Sequence, residues 1–320
     1  SVSGSLLQAF NLIVGTMIYI PFIKQSERVQ DREFLGKIKR LEASMNEDER
    51  SVWVRDFRWN TYENQQTAKL LASDLEYALS KGALELYYQP QVKRDGTLYG
   101  CEALLRWNYM GQGFVYPPLI IALAVQGDFI GTLGMYIVEK ACRDMAGART
   151  QAGCPVSFSV NILPLELEDP SFADQVLKIL KDTGVEGSNL TIELTEQVAL
   201  NPGPNLERQL EKLRESRVRI SMDDFGMGHG SLNYLNSAHY DEVKIDGSLI
   251  RRLPEHTQTC ELVGNIMNMS RILGVNTVAE CVETPEQIQM LEKLGCSIYQ
   301  GYYYSKPLPR DAFIEYVKGL

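Results

Sequence analysis

The chain has 320 residues, of which 44% are hydrophobic, and its formal net charge is −9. The length suits one barrel with an extension, and the hydrophobic share is enough for a sizeable core. The acidic balance excludes general nucleic-acid binding, which needs a basic surface, but it permits a small anionic ligand held by metal ions.

The cysteines and histidines narrow the possible chemistry further. None of the six cysteines forms a CxxC pair, which favours a reducing cytosol over a disulfide framework. The three histidines form no HExxH motif, so a zinc protease is excluded. A metal site in this chain is therefore expected to use oxygen ligands, which Mg²⁺, Mn²⁺ and Ca²⁺ prefer.

The first predicted element is an uncharged run of 18 residues from Leu6 to Ile23, followed by Lys24 and further basic residues. Eighteen residues is the lower limit for a membrane-spanning helix, and a basic flank is typical of the cytoplasmic side. We predict a transmembrane helix over residues 1–24, at the end of a membrane domain. The alternative is a buried helix of a soluble domain. Residues 25–64 are highly charged and predict a juxtamembrane helix or linker.

Strand-like and helical runs alternate from residue 65 onward. The predicted strands are 84–92, 98–107, 156–162, 190–194, 218–222, 242–245, 277–279 and 297–302. The predicted helices are 65–82, 135–147, 171–183, 205–216, 257–273 and 285–294. Eight strands in this arrangement favour a (β/α)₈ barrel of the TIM type, preceded by a helical N-terminal extension. The turn at residues 93–96 is too short for a parallel crossover, so at least one strand is predicted to be antiparallel.

Acidic and amide side chains lie at or near the end of nearly every predicted strand. They are Glu102, Asn161, Glu193, Glu196, Asp223, Asp224, Asp246, Glu280, Glu283 and Gln300. The carboxyl ends of barrel strands open onto one face, so these side chains are expected to converge. Buried charges are costly unless paired, and the nearby Lys244 and Arg106 are too few to neutralise them. We interpret the series as a cation site. The alternative at each single position is a helix N-cap.

The oxygen-rich character of this series favours Mg²⁺ or Mn²⁺. Two such ions about 4 Å apart clamp a phosphodiester and activate a water molecule. Adjacent Asp223 and Asp224 suit this arrangement because one carboxylate can bridge both ions while its neighbour binds the second. The residues alone thus predict metal-assisted hydrolysis of a phosphodiester. A single structural Ca²⁺ is the alternative, although no EF-hand spacing is present.

The ordered motifs carry a family resemblance. Glu102-Ala103-Leu104, followed by Arg106-Trp107, resembles the signature of the EAL family of cyclic-di-GMP phosphodiesterases. The other motifs follow in family order: Gln89-Pro90, Val160-Asn161, Glu193-Leu-Thr-Glu196, Asp223-Asp-Phe-Gly226, Lys244-Ile-Asp246, Ala279-Glu280, Glu283, Gln300-Gly301 and Ser305-Lys-Pro307. The resemblance spans residues 65–320 and implies hydrolysis of cyclic di-GMP to linear pGpG with two Mg²⁺ or Mn²⁺ ions.

The resemblance also implies a role for each residue. One metal ion is expected on Glu102, Asn161, Glu193 and Asp223, and the other on Asp223, Asp224 and Glu280. The catalytic set is expected to be Lys244, Glu280, Glu102 and Gln300. Lys244 is expected to hold and help deprotonate the attacking water, which requires a depressed pKa or a metal-bound water. Gln89 and Arg106 are expected to contact the nucleotide, Arg106 through phosphate. Glu196 and Glu283 are expected to brace the loops, with ordinary surface acids as the alternative.

The resemblance extends to partners and location. It implies a homodimer. The N-terminal run resembles the last membrane helix of a phosphotransferase-system IIC component, which predicts a location in the inner membrane with the catalytic domain in the cytoplasm.

Two stretches depart from the family pattern. Met227 and His229 stand in the loop after Asp224, which predicts lower or re-regulated activity, and Val125 replaces a glutamate. The alternative functions are an inactive module that binds cyclic di-GMP and a membrane scaffold.

Overall fold

The computed structural model describes residues 62–109, 114–115, 117–153, 156–195, 204–226 and 240–320, with the backbone alone for residues 62–70, 118 and 152. The predicted transmembrane helix and nearly all of the predicted linker lie outside these residues. In the described part of the chain, no helix combines the length and the hydropathy that crossing a bilayer requires.

The described elements alternate much as the sequence predicts. The helices are α1 (Tyr62–Ser80), α2 (Pro117–Gln126), α3 (Ile130–Ala152), α4 (Phe172–Thr183), α5 (Pro204–Glu215), α6 (Gly247–Ile250), α7 (Thr257–Leu273), α8 (Pro285–Leu294) and α9 (Arg310–Lys318). The strands are β1 (Glu85–Lys93), β2 (Leu98–Asn108), β3 (Phe114–Val115), β4 (Phe158–Asn161), β5 (Leu190–Thr195), β6 (Arg219–Phe225), β7 (Glu242–Ile245), β8 (Asn276–Ala279), β9 (Ile298–Gln300) and β10 (Leu308–Pro309). Helices α2, α6 and α9 were not predicted.

The described residues divide into two compact units, one within 62–85 and 105–133 and the other within 86–104 and 134–320. In the first unit, α1 packs against α2, and the end of β2 pairs with β3 through Trp107 opposite Val115. The Trp107 ring meets the Tyr109 ring edge to face, with centroids 5.1 Å apart. The Tyr109 hydroxyl donates to Asp74 over 2.9 Å, which fixes the aromatic pair to α1.

The second unit contains the barrel. Its eight strands follow one another around the ring in the order β1, β9, β8, β7, β6, β5, β4 and β2, and β1 pairs with β2 to close it. Strands β2 and β4 to β9 run parallel, whereas β1 is antiparallel to β9, with Gln91 opposite Gln300. The predicted mixed (β/α)₈ barrel is thus confirmed, including its antiparallel strand.

Helix-capping residues explain why some boundaries were predicted so closely. Helix α8 begins with a capping box in which Thr284 and Gln287 satisfy each other's backbone N–H groups, and it ends at Gly295, whose φ of 95° is left-handed. Helix α7 ends in the same way at Gly274. Both helices occupy the predicted ranges because these signals are local in the sequence.

Glu166 is a buried carboxyl group of the second unit that lies outside the predicted acidic series. Glu166 follows β4 in a short 3-10 turn and is 5% exposed. Its Oε2 accepts the backbone N–H of Leu163 over 2.8 Å, while its Oε1 has no hydrogen-bond partner and packs against Gly134 of α3. Desolvation raises the pKa of this carboxyl to about 8 from its ordinary 4.5, so Glu166 is protonated in the folded protein at neutral pH.

We expect Glu166→Gln to stabilise the protein, increasingly so as the pH rises. Between pH 4.5 and 8 the unfolded chain has lost this proton and the folded chain keeps it, so folding takes up a proton and becomes less favourable with rising pH. Glutamine avoids this loss and gains about 4 kcal/mol at pH 8 but under about 1 kcal/mol at pH 5. Urea unfolding at several pH values measures the difference. Glu168→Gln, exposed in the same turn, is the control. An equal effect at pH 5 and pH 8 would contradict the assignment.

Candidate active site

The centre of the site is the ammonium group of Lys244, which is fully buried inside the barrel. Four carboxylates surround its Nζ atom, three from strands β2, β5 and β6 and one from Glu280, which directly follows β8. The distances are 2.7 Å to Glu280 Oε1, 2.9 Å to Glu193 Oε2, 3.3 Å to Glu102 Oε2 and 3.3 Å to Asp223 Oδ1. The parallel register makes this convergence possible, because β5 aligns Glu193 with Asn161 on one side and with Ser221 on the other. The predicted clustering is therefore found in the described barrel.

One ammonium cannot balance four carboxylates, and the pKa values reflect this excess of negative charge. Desolvation raises the pKa of Glu193 well above its usual range and that of Glu280 to about 8. The pKa of Asp223 is raised for the same reason. For Glu102, the Lys244 charge and hydrogen bonds from neighbouring side chains outweigh desolvation, so its pKa is lowered. The cluster favours additional positive charge, either as protons or as cations.

A second group of ligand atoms adjoins the first. Single carboxylate oxygens of Asp223, Asp224 and Glu280 lie within 4.8 Å of one another. Asp224 has a left-handed backbone with φ of 56°, a conformation rare for a residue with a side chain. Desolvation, followed by the charge of Asp223, raises the pKa of Asp224 to about 7. The unusual backbone gives both acids of the pair access to this group.

Two buried oxygen atoms test whether this site fits a divalent cation. Glu193 Oε1 and Asp223 Oδ1 are buried and accept no hydrogen bond, although Asp223 Oδ1 lies 3.3 Å from Lys244 Nζ. Unpaired carboxylate oxygens of this kind are costly unless a cation or a proton neutralises them. The donor set is entirely oxygen, which suits Mg²⁺ or Mn²⁺. The residues present therefore fit the predicted ions.

Amide side chains form the rim of the cluster. The Asn161 amide nitrogen donates to Glu102 Oε1 over 2.7 Å, and the Gln300 amide nitrogen donates to Glu102 Oε2. Gln89 is 8% exposed, accepts from Gln300 over 3.2 Å and donates to the Ser305 carbonyl over 3.2 Å. Gln91, which the motif analysis passed over, donates to Gln300 Oε1 over 2.9 Å. The sequence does contain a signal for this residue: side chains alternate along a strand, so residues 89 and 91 of β1 lie on one face and Gln91 is expected to face the site with Gln89.

Other predicted residues are placed differently. Arg106 lies in the first unit and its Nη1 donates to the carbonyl oxygen of Leu105 over 2.9 Å, so its contact with phosphate stays a prediction. Glu283 is exposed, and its backbone N–H donates to Gln287 over 2.7 Å. Glu196, Met227 and His229 lie outside the described residues.

The predicted role of Lys244 in deprotonating the attacking water stays a prediction, and the charges around it bear on one of its two routes. The expectation allowed for a depressed pKa, but the charges of Asp223, Glu102, Glu193 and Glu280 outweigh desolvation and raise the pKa well above its ordinary value. Lys244 is therefore an ammonium among these carboxylates, and its predicted role in deprotonating water relies on the other route, a metal-bound water.

The comparison with protein families agrees with the motifs and the geometry. The model of the EAL domain family matches residues 72–307. The chain belongs to the EAL family. The EAL match includes all eight strands of the barrel and each of the residues that surround Lys244.

Two curated relatives are much longer than this EAL chain. It is 35% identical over 243 residues to the oxygen sensor protein DosP of Escherichia coli K12, which covers 76% of this chain and 30% of DosP. It is 34% identical over 249 residues to the cyclic di-GMP phosphodiesterase NbdA of Pseudomonas aeruginosa, which covers 78% of this chain and 32% of NbdA. The EAL chain spans about a third of the length of these relatives.

Solved EAL structures share the fold. The PaMucR phosphodiesterase in complex with c-di-GMP superimposes with a TM-score of 0.72 at 33% identity, covering 76% of this chain and 99% of that one. The EAL enzyme Bd1971, bound to cAMP and cyclic di-GMP, gives a TM-score of 0.76 at 25% identity, covering 92% of this EAL chain and 77% of that one.

Proposed function

We propose that this chain hydrolyses cyclic di-GMP to linear pGpG. The observation that carries the proposal is the ring of four carboxylates around Lys244, joined to the Asp223, Asp224 and Glu280 group inside an EAL barrel. In the reaction, a water oxygen bonds to phosphorus and the bond between phosphorus and the ribose 3′ oxygen breaks. The single product, linear pGpG, carries a 5′-phosphate at one end and a 3′-hydroxyl at the other; one water proton goes to the 3′ oxygen and the other is released to solvent.

We assign the predicted ligands to two divalent cations, Mg²⁺ or Mn²⁺. Glu102, Asn161, Glu193 and Asp223 would hold one ion, and Asp223, Asp224 and Glu280 would hold the other. Such ions, when bound, stabilise negative charge on the phosphoryl oxygens and lower the pKa of water. The raised pKa values of Glu193, Asp223 and Glu280 imply that ion binding displaces protons from these carboxyls.

The remaining side chains orient the reactants. Lys244 donates to Glu193 and Glu280 and provides a fixed positive charge beside the reacting phosphate. Gln300 fixes Glu102, and Gln89 and Arg106 are proposed to contact the nucleotide. Glu196 and Glu283 are proposed to brace the adjoining loops.

A turnover assay tests the function. Purified protein is incubated with cyclic di-GMP and either Mg²⁺ or Mn²⁺, and the nucleotides are separated by ion-exchange chromatography. We expect pGpG in the presence of metal, none in EDTA, and no cleavage by Glu102→Ala, because this change removes a ligand and the acceptor of Asn161 and Gln300. Tight binding of cyclic di-GMP without cleavage with either metal would instead establish the binding-module alternative.

We further propose that residues 1–24 span the inner membrane, that residues 25–64 link them to a cytoplasmic catalytic domain of residues 65–320, and that the chain forms a homodimer. The uncharged 18-residue run and its basic flank support the membrane helix. Membranes from cells that express the full chain are washed with alkaline carbonate. We expect the protein to stay with the membrane and a chain that begins at residue 65 to be released. Release of the full chain would contradict the anchor.

A further inference from the structure

Strand pairing brings two buried glutamines together beside the acidic cluster. Strand β1 is antiparallel to β9, and the register sets Gln91 directly opposite Gln300. Opposite residues in an antiparallel pair point to the same face, so both side chains enter the barrel. They are 3% and 4% exposed, and Gln91 Nε2 donates to Gln300 Oε1 over 2.9 Å.

The contact fixes which way the Gln300 amide faces. With its oxygen engaged by Gln91, the Gln300 nitrogen turns toward Glu102 Oε2 and Gln89 Oε1 and donates to both. The reversed amide would set its oxygen against the Glu102 carboxylate, which accepts hydrogen bonds but cannot donate them when ionised. Gln91 thereby stabilises the single orientation that supports Glu102.

The Gln91 side chain is itself confined on its other side. Its Oε1 faces Gly100 of β2, where an added Cβ atom would lie 3.3 Å from that oxygen and 2.9 Å from the carbonyl oxygen of Ser157. A side chain at position 100 would therefore press on the Gln91 amide. The strand supplies a glycine where the positioning group needs space.

We propose that Gln91 is a positioning residue for the reaction: it orients Gln300, which in turn orients the Glu102 carboxylate toward its cation. This inference rests on the proposed function. Residues that hold a metal ligand through a hydrogen bond commonly change metal affinity or activity by about 10-fold to 100-fold when they are removed. Two glutamines hydrogen-bond the Gln300 amide. The role belongs to Gln91 because Gln91 donates to the Gln300 oxygen, whereas Gln89 accepts from the Gln300 nitrogen.

The test compares Gln91→Met with Gln209→Met in the full chain. Gln209 of α5 is equally buried, at 3%, and hydrogen-bonds Ala173 of α4 and the carbonyl oxygen of Pro170 just before α4, so its variant measures the cost of losing a buried amide that contacts none of the site residues. We expect Gln91→Met to lower kcat and weaken Mn²⁺ binding in calorimetry by about 10-fold or more, with KM for cyclic di-GMP nearly unchanged. Gln209→Met is expected to change only the melting temperature.

A double-mutant cycle then separates positioning from a general structural effect. In a Gln300→Met background, Gln91→Met should cause no further loss of kcat or Mn²⁺ affinity, because its effect passes through Gln300. If Gln91→Met fails to fold, Gln91→His and Gln91→Phe give the same comparison. They are similar in size and only His keeps a donor at the Nε2 position, so His is expected to retain more activity.

The outcomes distinguish this inference from the proposed function. Wild-type protein that cleaves cyclic di-GMP, with Gln91→Met unchanged in kcat and Mn²⁺ affinity, would overturn the role of Gln91 alone. Equal losses from Gln91→Met in the wild-type and Gln300→Met backgrounds would do the same. Wild-type protein that binds Mn²⁺ without cleaving would overturn the proposed function, and the Mn²⁺ affinities would still decide whether Gln91 orients the ligand. Wild-type protein that neither binds Mn²⁺ nor cleaves would overturn both.

Discussion

Replacing Asp223 with asparagine is expected to abolish turnover, with kcat lowered by at least about 1,000-fold. Asp223 and Glu280 both lie beside Lys244, at 3.3 Å and 2.7 Å, and both belong to the group with Asp224, but Asp223 is the one that we assign to both ions. Asparagine has nearly the same shape but removes the charge, so the proposed shared ligand is lost without a large change in packing. Steady-state kinetics with cyclic di-GMP and calorimetry with Mn²⁺ measure the two effects.

A matched change elsewhere controls for the loss of an aspartate. Asp241 precedes β7 and accepts the backbone N–H of Ile220 over 2.8 Å at the opposite end of the same pair of strands. Asp241→Asn should leave turnover within about threefold of wild type. Turnover of Asp223→Asn within about 10-fold of wild type would show that this carboxylate is not a shared ligand.

Replacing Lys244 with methionine is expected to separate stability, metal binding and chemistry. The ammonium is fully buried among four carboxylates, and removing one partner of a buried ion pair costs about 3–5 kcal/mol. In EDTA the free energy of unfolding should fall by about this amount. The affinity for Mn²⁺ should be retained or increased because a competing cation is gone, while kcat falls by about 100-fold or more.

Lys212→Met serves as the control for this change. Lys212 forms a 2.6 Å ion pair with Asp174 on the surface, with 43% of its side chain exposed, so its loss should cost under about 1 kcal/mol and leave turnover unchanged. Loss of Mn²⁺ affinity in Lys244→Met, or turnover equal to wild type, would contradict the role assigned to the ammonium.

The barrel was predictable from local patterns, whereas the chemistry of its centre was not. Alternating runs and capping signals located α7 and α8, and the short turn at residues 93–96 revealed that β1 is antiparallel. The motifs likewise located the carboxylates. The protonation states in the cluster could not be predicted from the sequence. The high pKa of Lys244, for example, arises from four carboxylates in separate parts of the chain that meet only in the folded barrel.

The sequence also did not reveal the buried polar residues that lie outside the motifs. Gln91 and Glu166 look like ordinary strand and turn residues in the sequence. Their importance comes from partners far along the chain: Gln300 lies opposite Gln91 through strand pairing, and Gly134 of α3 leaves the space that Glu166 fills. Such contacts depend on register and helix packing, which periodicity alone does not specify.

Oxygen-isotope labelling tests the central claim most directly. Purified protein is incubated with cyclic di-GMP and Mn²⁺ in water enriched in ¹⁸O, and the product is analysed by mass spectrometry. If the acidic cluster directs water onto the phosphodiester, the product is pGpG carrying one ¹⁸O atom in its terminal phosphate, and Asp223→Asn gives none. Intact cyclic di-GMP, or pGpG without the label, would contradict the account.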